Sequence, residues 1–395
     1  MFAAAAQEEL TLHIFVAVLL AFAAAFWIFE AVDIARGLPS LPLLENSRSL
    51  PDADCPPVSI LFAARDEAEK LPAALATFLA LDYPSCEVIA ADDRSGDATG
   101  AILSAAARQS PRLKPVRIDA LPPGWLGKPH ALDRAYEHSS GEWLVFTDAD
   151  VHFAPDLLRR AVALALERRW DHLTLMAEAK MFTVGEKIAM TFFGMAFLVG
   201  VRPWAVENPR SHGYAGVGAF QMIRRAAYER IGTHRRLAME VVDDMKLGKL
   251  VKDCGLRSGV ARAGDSVSVH WHAGVGNMVR GTTKNFFATS GFRLWLTSIH
   301  VGGLLLMGVF PIVALPFVHG WVRGLALIAL GLPAIIEAGA AIEFGVSPLY
   351  AFTYPVGALI FAWMLARSAI VTLWRGGITW RGTFYPLDEL KRGVV

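Results

Sequence analysis

The chain has 395 residues, 54% of them hydrophobic, and a mean hydropathy of +0.39, so it can bury a large core and still present apolar surface to lipid. With 38 basic against 37 acidic residues the net charge is +1, which excludes an overall field for recruiting nucleic acid, and no nucleic-acid partner is expected. Cys55, Cys86 and Cys254 are too widely spaced for a paired disulfide framework or a Cys-x-x-Cys metal site, and a reducing cytosolic face is the simpler setting.

From Leu12 to Phe29 the sequence is almost wholly apolar, and the flanks predict a transmembrane helix over 10–34. No Lys or Arg precedes the run and no small-residue cleavage pattern follows it, so it reads as a retained anchor rather than a cleaved signal. Glu8 and Glu9 precede it while Arg36 and Arg48 follow, which places residue 35 onward in the cytoplasm. An integral protein of a bacterial inner membrane, with a cytoplasmic catalytic domain, is therefore expected.

Residues 55–290 have the composition of an α/β domain. Strands are predicted at Val58–Ala64, Glu87–Ala91, Pro115–Ile118, Trp143–Thr147 and His172–Ala177, alternating with helical spacing over Glu67–Leu79, Ala98–Arg108 and Ala154–Glu167. That alternation predicts βαβ units and a mainly parallel sheet, with ligands at the strands' carboxyl ends. Ile188–Val201, followed by Arg202, Pro203 and Trp204, is too short to span; it predicts either an interfacial helix near 188–204 or a buried core helix. Apolar runs near 301–319, 324–342 and 351–373 predict membrane helices over 300–374. A basic tail follows at 375–395, with Arg375, Arg381, Lys391 and Arg392. Three spans would put this tail outside, whereas its charge prefers the cytoplasm; either one run is re-entrant or the charge tendency fails here.

Four clusters carry chemistry. Ala64-Arg65-Asp66-Glu67 switches from apolar to charged at the end of the first strand, where an open sheet binds ligand, although such residues also cap helices. Asp92-Asp93-Arg94-Ser95-Gly96-Asp97 ends the second strand with acceptor oxygens suited to a ribose or base edge, or with a capped turn. Gly124-Trp125-Leu126-Gly127-Lys128 combines close backbone approach with a cation for a diphosphate. Thr147-Asp148-Ala149-Asp150 places two carboxylates after an apolar strand, a hard-oxygen pair suited to Mg²⁺ or Mn²⁺ shared with substrate phosphates.

In this order and spacing the clusters resemble the family 2 glycosyltransferases over roughly residues 55–290. The resemblance implies an α/β, Rossmann-like A-type domain with a mainly parallel mixed sheet, beside the transmembrane α-helices. Asp66 and Glu67 match the family's opening acidic pair, Asp92, Asp93 and Ser95 its Asp-Asp-x-Ser turn, and Gly127, Lys128, Ala131 and Leu132 its Gly-Lys helix start. A donor-binding set of Ala64, Asp66, Glu67, Asp92, Asp93, Lys128 and Asp148 is implied, with the metal on Asp150 and Asp148. Gly213–Phe220 resembles the Gly-rich acceptor loop, placing Gly216 near the acceptor, and Asp243-Asp244 resembles the catalytic acidic pair, with Asp243 where the family has Glu and the general base on Asp244. His272 or His270 is a candidate third metal ligand or a packed strand histidine.

The Gln-x-x-Arg-Trp of processive synthases is absent. In its region, Met278–Phe287, Arg280 and Lys284 stand one helical turn apart and either meet the diphosphate or anchor to anionic headgroups. The implied reaction is an inverting, metal-dependent hexosyl transfer from a nucleotide-sugar, a UDP-sugar foremost, to a lipid acceptor's hydroxyl among membrane lipids. One sugar is added, as in the carotenoid- and hopanoid-associated glycosyltransferases and the ceramide glucosyltransferases that the chain resembles. A processive polysaccharide synthase and a non-catalytic membrane scaffold are the alternatives. A transporter would need more intramembrane charge than Glu337 and Glu343.

Overall fold

The apolar run after Glu9 folds as one long helix, α1 (Phe2–Gly37), whose Leu12, Phe15, Phe22 and Phe29 stand exposed as lipid-facing side chains do. The computed structural model describes the backbone from Phe2 to Val395, and it divides into a sheet unit and a helical unit.

The sheet unit comprises Pro39–Lys180, Pro203–Trp271 and Leu373–Val395. Its first strand, β1 (Val58–Ala64), is apolar on both faces and buried along its length, as a central parallel strand must be. It is followed by α2 (Leu71–Leu79), β2 (Cys86–Asp93), α3 (Thr99–Gln109), β3 (Leu113–Ile118), α4 (Gly127–Glu137), β4 (Trp143–Asp148), β5 (Val151–Phe153), α5 (Leu157–Arg168), β6 (His172–Met176) and β7 (Glu178–Ala179). The helix expected from Glu67 begins at Leu71 instead. Asp66 is left-handed (φ 54°), which breaks helical geometry there, and Pro72 occupies the first turn, where its missing N–H costs nothing.

The chain leaves this unit for α6 (Val184–Val201) and returns for β8 (Gln221–Arg224), α7 (Arg225–Arg230), α8 (Asp243–Asp253), β9 (Ser258–Arg262) and β10 (Val267–Val269). The main sheet has the order β3-β2-β1-β4-β8-β6-β9; β8 runs antiparallel to β4 and β6, and the other neighbours are parallel. Alternation along β1 sends Ile60 and Phe62 to one face, with Phe78, Trp143 and Trp170, and Leu61 to the other, with Phe146, Tyr228 and Ile231. A mainly parallel mixed α/β sheet was expected, and this is one.

In the helical unit, α6 opens with a capping box: Glu186 N–H donates to Thr183 Oγ1 (3.2 Å) while the Glu186 carboxylate accepts from Thr183 N–H. The remaining helices are α9 (Val275–Thr282), α10 (Phe286–Thr289), α11 (Leu294–Gly308), α12 (Phe310–Ala314), α13 (Gly320–Glu343) and α14 (Tyr354–Arg375). By length and composition the segments Gln7–Ser40, Val184–Ala205, Gly320–Glu343 and Pro348–Arg375 could each cross a membrane, and α11 and α12 form a pair bent by 45°. Within this unit Thr191 Oγ1 donates to the buried carboxylate of Glu337 (3.0 Å), and Arg202 pairs with Asp33 (2.6 Å).

Past α14 the tail re-enters the sheet unit as a hairpin of β11 (Gly377–Trp380) and β12 (Thr383–Pro386), closed by α15 (Leu387–Arg392) with Leu390 fully buried. The final residue, Val395, donates its N–H to the buried Glu240 (3.1 Å) and accepts from Lys246 Nζ. The sequence marked this segment only as a basic tail; the burial of Ile378, Tyr385 and Leu390 is what folds it.

Candidate active site

The ends of β1 and β2 are latched to each other. Asp66 N–H donates to Ser95 Oγ (3.1 Å), Gly96 N–H to Asp66 Oδ1 (2.8 Å), Glu67 N–H to Thr99 Oγ1 (2.9 Å) and Ala68 N–H to Asp97 Oδ2 (3.0 Å). Buried Asp92 holds the turn itself, accepting from Ser95 N–H (3.2 Å) and from Arg117 Nη1 (2.7 Å). Asp93 takes a two-pronged pair from Arg94 (2.7 and 2.9 Å), with Arg65 at 3.8 Å. Of the expected donor set, then, Asp66 and Asp92 spend carboxylate oxygens on the loop scaffold, and the Ala64 methyl belongs to the core.

Behind these loops a carboxylate centre forms from three elements. Lys128, in the first turn of α4, has its ammonium 2.8 Å from Asp148 Oδ1, at the end of β4, and 3.7 Å from Asp243 Oδ2, at the start of α8. Burial alone would lower the lysine's pKa, but Asp148, Asp243 and Asp244 outweigh it and hold the ammonium protonated. Asp244 Oδ2 accepts from Gly218 N–H (3.1 Å) and Oδ1 from Met245 N–H (2.8 Å). Desolvation raises the Asp244 pKa, and Lys128 pulls only part of the way back.

The loop 213–220 supplies the fourth wall. A Cβ on Gly216 would lie 1.9 Å from the Asp244 carbonyl oxygen, so only glycine lets the loop lie against α8. On Gly218 it would stand 2.9 Å from Asp148 Oδ2 and 3.2 Å from Asp244 Oδ2, so the missing side chain keeps open the space that both carboxylates face. Thr147 and Thr174 pin the loop by donating to Ala219 and Phe220 carbonyls (2.7 and 3.0 Å). Gly216 thus sets the position of the Asp244 backbone, and Gly218 lies beside the space that Asp148 and Asp244 face.

Asp148 Oδ2 faces the open space at Gly218, and Asp148 and Asp150 carry oxygen donors of the kind a hard cation takes. Asp150 Oδ2 meets Lys70 Nζ (2.8 Å) and Asp148 meets Lys128, so ammonium groups partner both carboxylates. Among the described residues no group of three or more His, Cys, Asp or Glu side chains is placed to hold a metal. His272 belongs to the helical unit, where its ring lies against Gly281; Arg280, in the same unit, donates to Asn277 Oδ1 (2.7 Å), and Lys284 lies in that unit too.

A family model described as glycosyl transferase family 21 matches residues 14–392. The chain belongs to glycosyl transferase family 21. The motifs alone had suggested a resemblance to family 2. A beta-monoglucosyldiacylglycerol synthase of a Synechocystis species is 34% identical to this glycosyltransferase over 147 residues, 34% of this chain and 30% of that protein. A 4,4'-diaponeurosporenoate glycosyltransferase of Staphylococcus haemolyticus is 23% identical over 231 residues, 58% of this chain and 60% of that one. The chain therefore spans less than two thirds of the length of these relatives. Among solved structures, a mannosyltransferase from Pyrobaculum calidifontis in complex with GDP-Man and Mn²⁺ shares the fold, with a TM-score of 0.56 and 20% identity over 91% of this chain and 98% of that one.

Four residues at the candidate site were not singled out from the sequence. Gly218 lies two residues from Gly216 in the glycine-rich loop, and Arg94 lies in the turn after β2. Tyr385 and Arg381 lie more than 250 residues from the loops they meet, Gly127 and Glu67 respectively, a separation with no local signal.

Proposed function

We propose that this chain moves a single sugar from a nucleotide-sugar, a UDP-sugar foremost, to the hydroxyl of a membrane lipid, with inversion at the anomeric carbon. The observation that carries the proposal is the convergence of Asp244 Oδ2 and Asp148 Oδ2 on the space kept open by Gly218. Asp244 is the base: its raised pKa suits a carboxylate that must take a proton from a hydroxyl near neutral pH, and the Gly218 N–H orients the accepting oxygen. As the acceptor oxygen bonds to the anomeric carbon, the nucleoside diphosphate leaves on the opposite face, and Lys128 stabilises the charge that collects on it. Mg²⁺ or Mn²⁺ held by Asp148 and Asp150 would supply Lewis-acid neutralisation of the diphosphate. The similarity to a beta-monoglucosyldiacylglycerol synthase and a 4,4'-diaponeurosporenoate glycosyltransferase supports a lipid acceptor.

Chain connectivity bears on orientation. The chain leaves the sheet unit after Lys180 and rejoins it at Pro203, and leaves after Trp271 and rejoins at Leu373. A unit on one side of a bilayer requires an even number of crossings in each excursion. On this reading α6 lies along the interface, α13 and α14 cross, and the bent α11–α12 pair enters and leaves on one face. The basic tail, part of the sheet unit, then stays cytoplasmic, as its charge prefers.

The test uses full-length protein in nanodiscs with a panel of UDP- and GDP-sugars, with and without Mg²⁺ or Mn²⁺ and a bacterial lipid extract. Nucleoside diphosphate release that needs metal and lipid and yields a short glycolipid is expected. Binding and transfer of no donor would overturn the reading, and long polymer would make the enzyme a synthase.

A further inference from the structure

The C-terminal hairpin lies on the donor loops. Trp380 and Thr383 pair across a two-residue turn whose residues, Arg381 (φ 48°) and Gly382 (φ 77°), are both left-handed, as a type I′ turn requires. Arginine is poorly suited to that conformation, which its Cβ disfavours. A residue held there against its preference points to a role for its side chain. That side chain forms an ion pair with Glu67, in the loop after β1.

The rest of the hairpin meets the neighbouring donor segments. Thr383 Oγ1 accepts from Arg65 Nη1 (3.4 Å), and Tyr385 OH accepts from the Gly127 N–H (3.3 Å), the first amide of α4, within hydrogen-bonding reach of Arg94. One hairpin thus touches the ends of β1 and β2 and the start of α4, where a doubly wound sheet takes its ligand.

Two further observations point to an absent polar ligand. His130 Nδ1, one turn along α4 from Gly127, and Arg65 Nε are both buried without a hydrogen-bond partner, His130 being only 8% exposed. Arg65, Arg94 and Arg381 bring three guanidiniums to these loops, where Asp93 pairs with Arg65 and Arg94, Glu67 pairs with Arg381, and Asp66, Asp92 and Asp97 are tied to backbone amides and Arg117. A polyanion with further hydrogen-bonding groups, such as a nucleoside diphosphate, offers partners to the guanidiniums' remaining N–H groups and to the orphaned nitrogens.

We propose that the hairpin forms the outer wall of the donor site, with Arg381 and Tyr385 binding the nucleoside diphosphate portion of the donor. The inference rests on the glycosyltransferase reading above. Arg381 is held in place by Glu67 and offers its remaining N–H groups to the nucleotide; Tyr385 fixes the Gly127 amide and lends its hydroxyl beside Arg94.

The experiment titrates UDP and GDP, each with Mg²⁺, onto full-length protein in nanodiscs by calorimetry, alongside donor KM and kcat. Arg381→Ala is expected to weaken binding about tenfold, as loss of a charge-assisted contact does, with donor KM rising in step and kcat within about twofold. Arg381→Lys should recover part of the loss, Tyr385→Phe should weaken binding about three- to fivefold, and exposed Lys391→Ala should match wild type. If wild type binds and turns over donor while both hairpin variants bind within about twofold of it, the hairpin inference falls and the glycosyltransferase reading stands. Wild type that binds neither nucleotide sinks both. A loss in the variants that tracks a lowered melting temperature and is not eased by Arg381→Lys marks a purely structural hairpin and also overturns the inference.

Discussion

Lys128 Nζ lies 2.8 Å from Asp148 Oδ1 and 3.7 Å from Asp243 Oδ2, and its charge also reaches Asp244, so one ammonium is shared by three carboxylates on β4 and α8. The lysine is the main group pulling the Asp244 pKa down against desolvation. Removing it must therefore move that pKa further up. A base works deprotonated, so the acid limb of kcat/KM should shift to higher pH in Lys128→Met, while Lys128→Arg leaves it near the wild-type position. Rates measured from pH 5 to 9 with saturating lipid check this, and an unmoved limb in Lys128→Met would show that the two residues are not coupled.

Asp244→Asn keeps the size of the side chain and an acceptor oxygen for the Gly218 N–H, so the loop should keep its place. The lost function is proton transfer, which contributes about 10²–10⁴-fold in general-base catalysis. Turnover should fall by that factor with nucleotide affinity unchanged. Parallel assays of transfer and of UDP binding separate these, and a variant with wild-type turnover would remove Asp244 from the mechanism.

Gly218 is not left-handed, so Gly218→Ala meets no backbone penalty of the kind a positive φ imposes. Its new methyl would instead sit 2.9 Å from Asp148 Oδ2 and 3.2 Å from Asp244 Oδ2. A displacement of even 1 Å in a reacting constellation can lower rate by about 10²-fold, so a large fall in kcat is expected with an unfolding midpoint close to wild type. Equal losses of activity and stability would mean that the methyl disrupts the loop itself.

The parallel strands were readable because each is a short apolar run ending in charge: Val58–Ala64 was located to the residue, and Trp143–Asp148 to within one. Strand β8 was not, since four residues after a glycine-rich loop carry no periodicity and their pairing is decided by the edges of β4 and β6. The hairpin at Gly377–Pro386 was hidden for a different reason. Its turn is Arg-Gly, where Asn-Gly or Asp-Gly is the usual signal, and its Arg and Lys residues stood out only as a basic tail. The motif carboxylates lie at strand ends, but sequence could not tell which of them serve as loop ties: Asp92 is paired with Arg117, and nothing in Asp-Asp-Arg-Ser distinguishes it from Asp93.

Two buried histidines give the sheet unit an acid-sensitive stability. His172 is fully buried, with Nδ1 2.8 Å from Ser258 Oγ and Nε2 3.1 Å from Gln221 Oε1, and burial pushes its pKa down to about 4. His234, bonded through Nδ1 to Tyr228 OH (2.7 Å), is pushed down to about 3 by burial and by Lys128. Both pKa values are depressed, so the unfolded chain takes up protons near pH 6.5 while the folded one does not. Stability from the neutral rings is complete above that pH and is lost as pH falls toward the folded values, by on the order of 3 kcal/mol for His172 at the lower end. His172→Gln can still donate to Gln221 and accept from Ser258 but cannot titrate. Its unfolding midpoint in detergent should therefore drop less than wild type's between pH 7.5 and 4.5, whatever its value at pH 7.5. Parallel losses in the two proteins would mean that His172 is not held neutral in the fold.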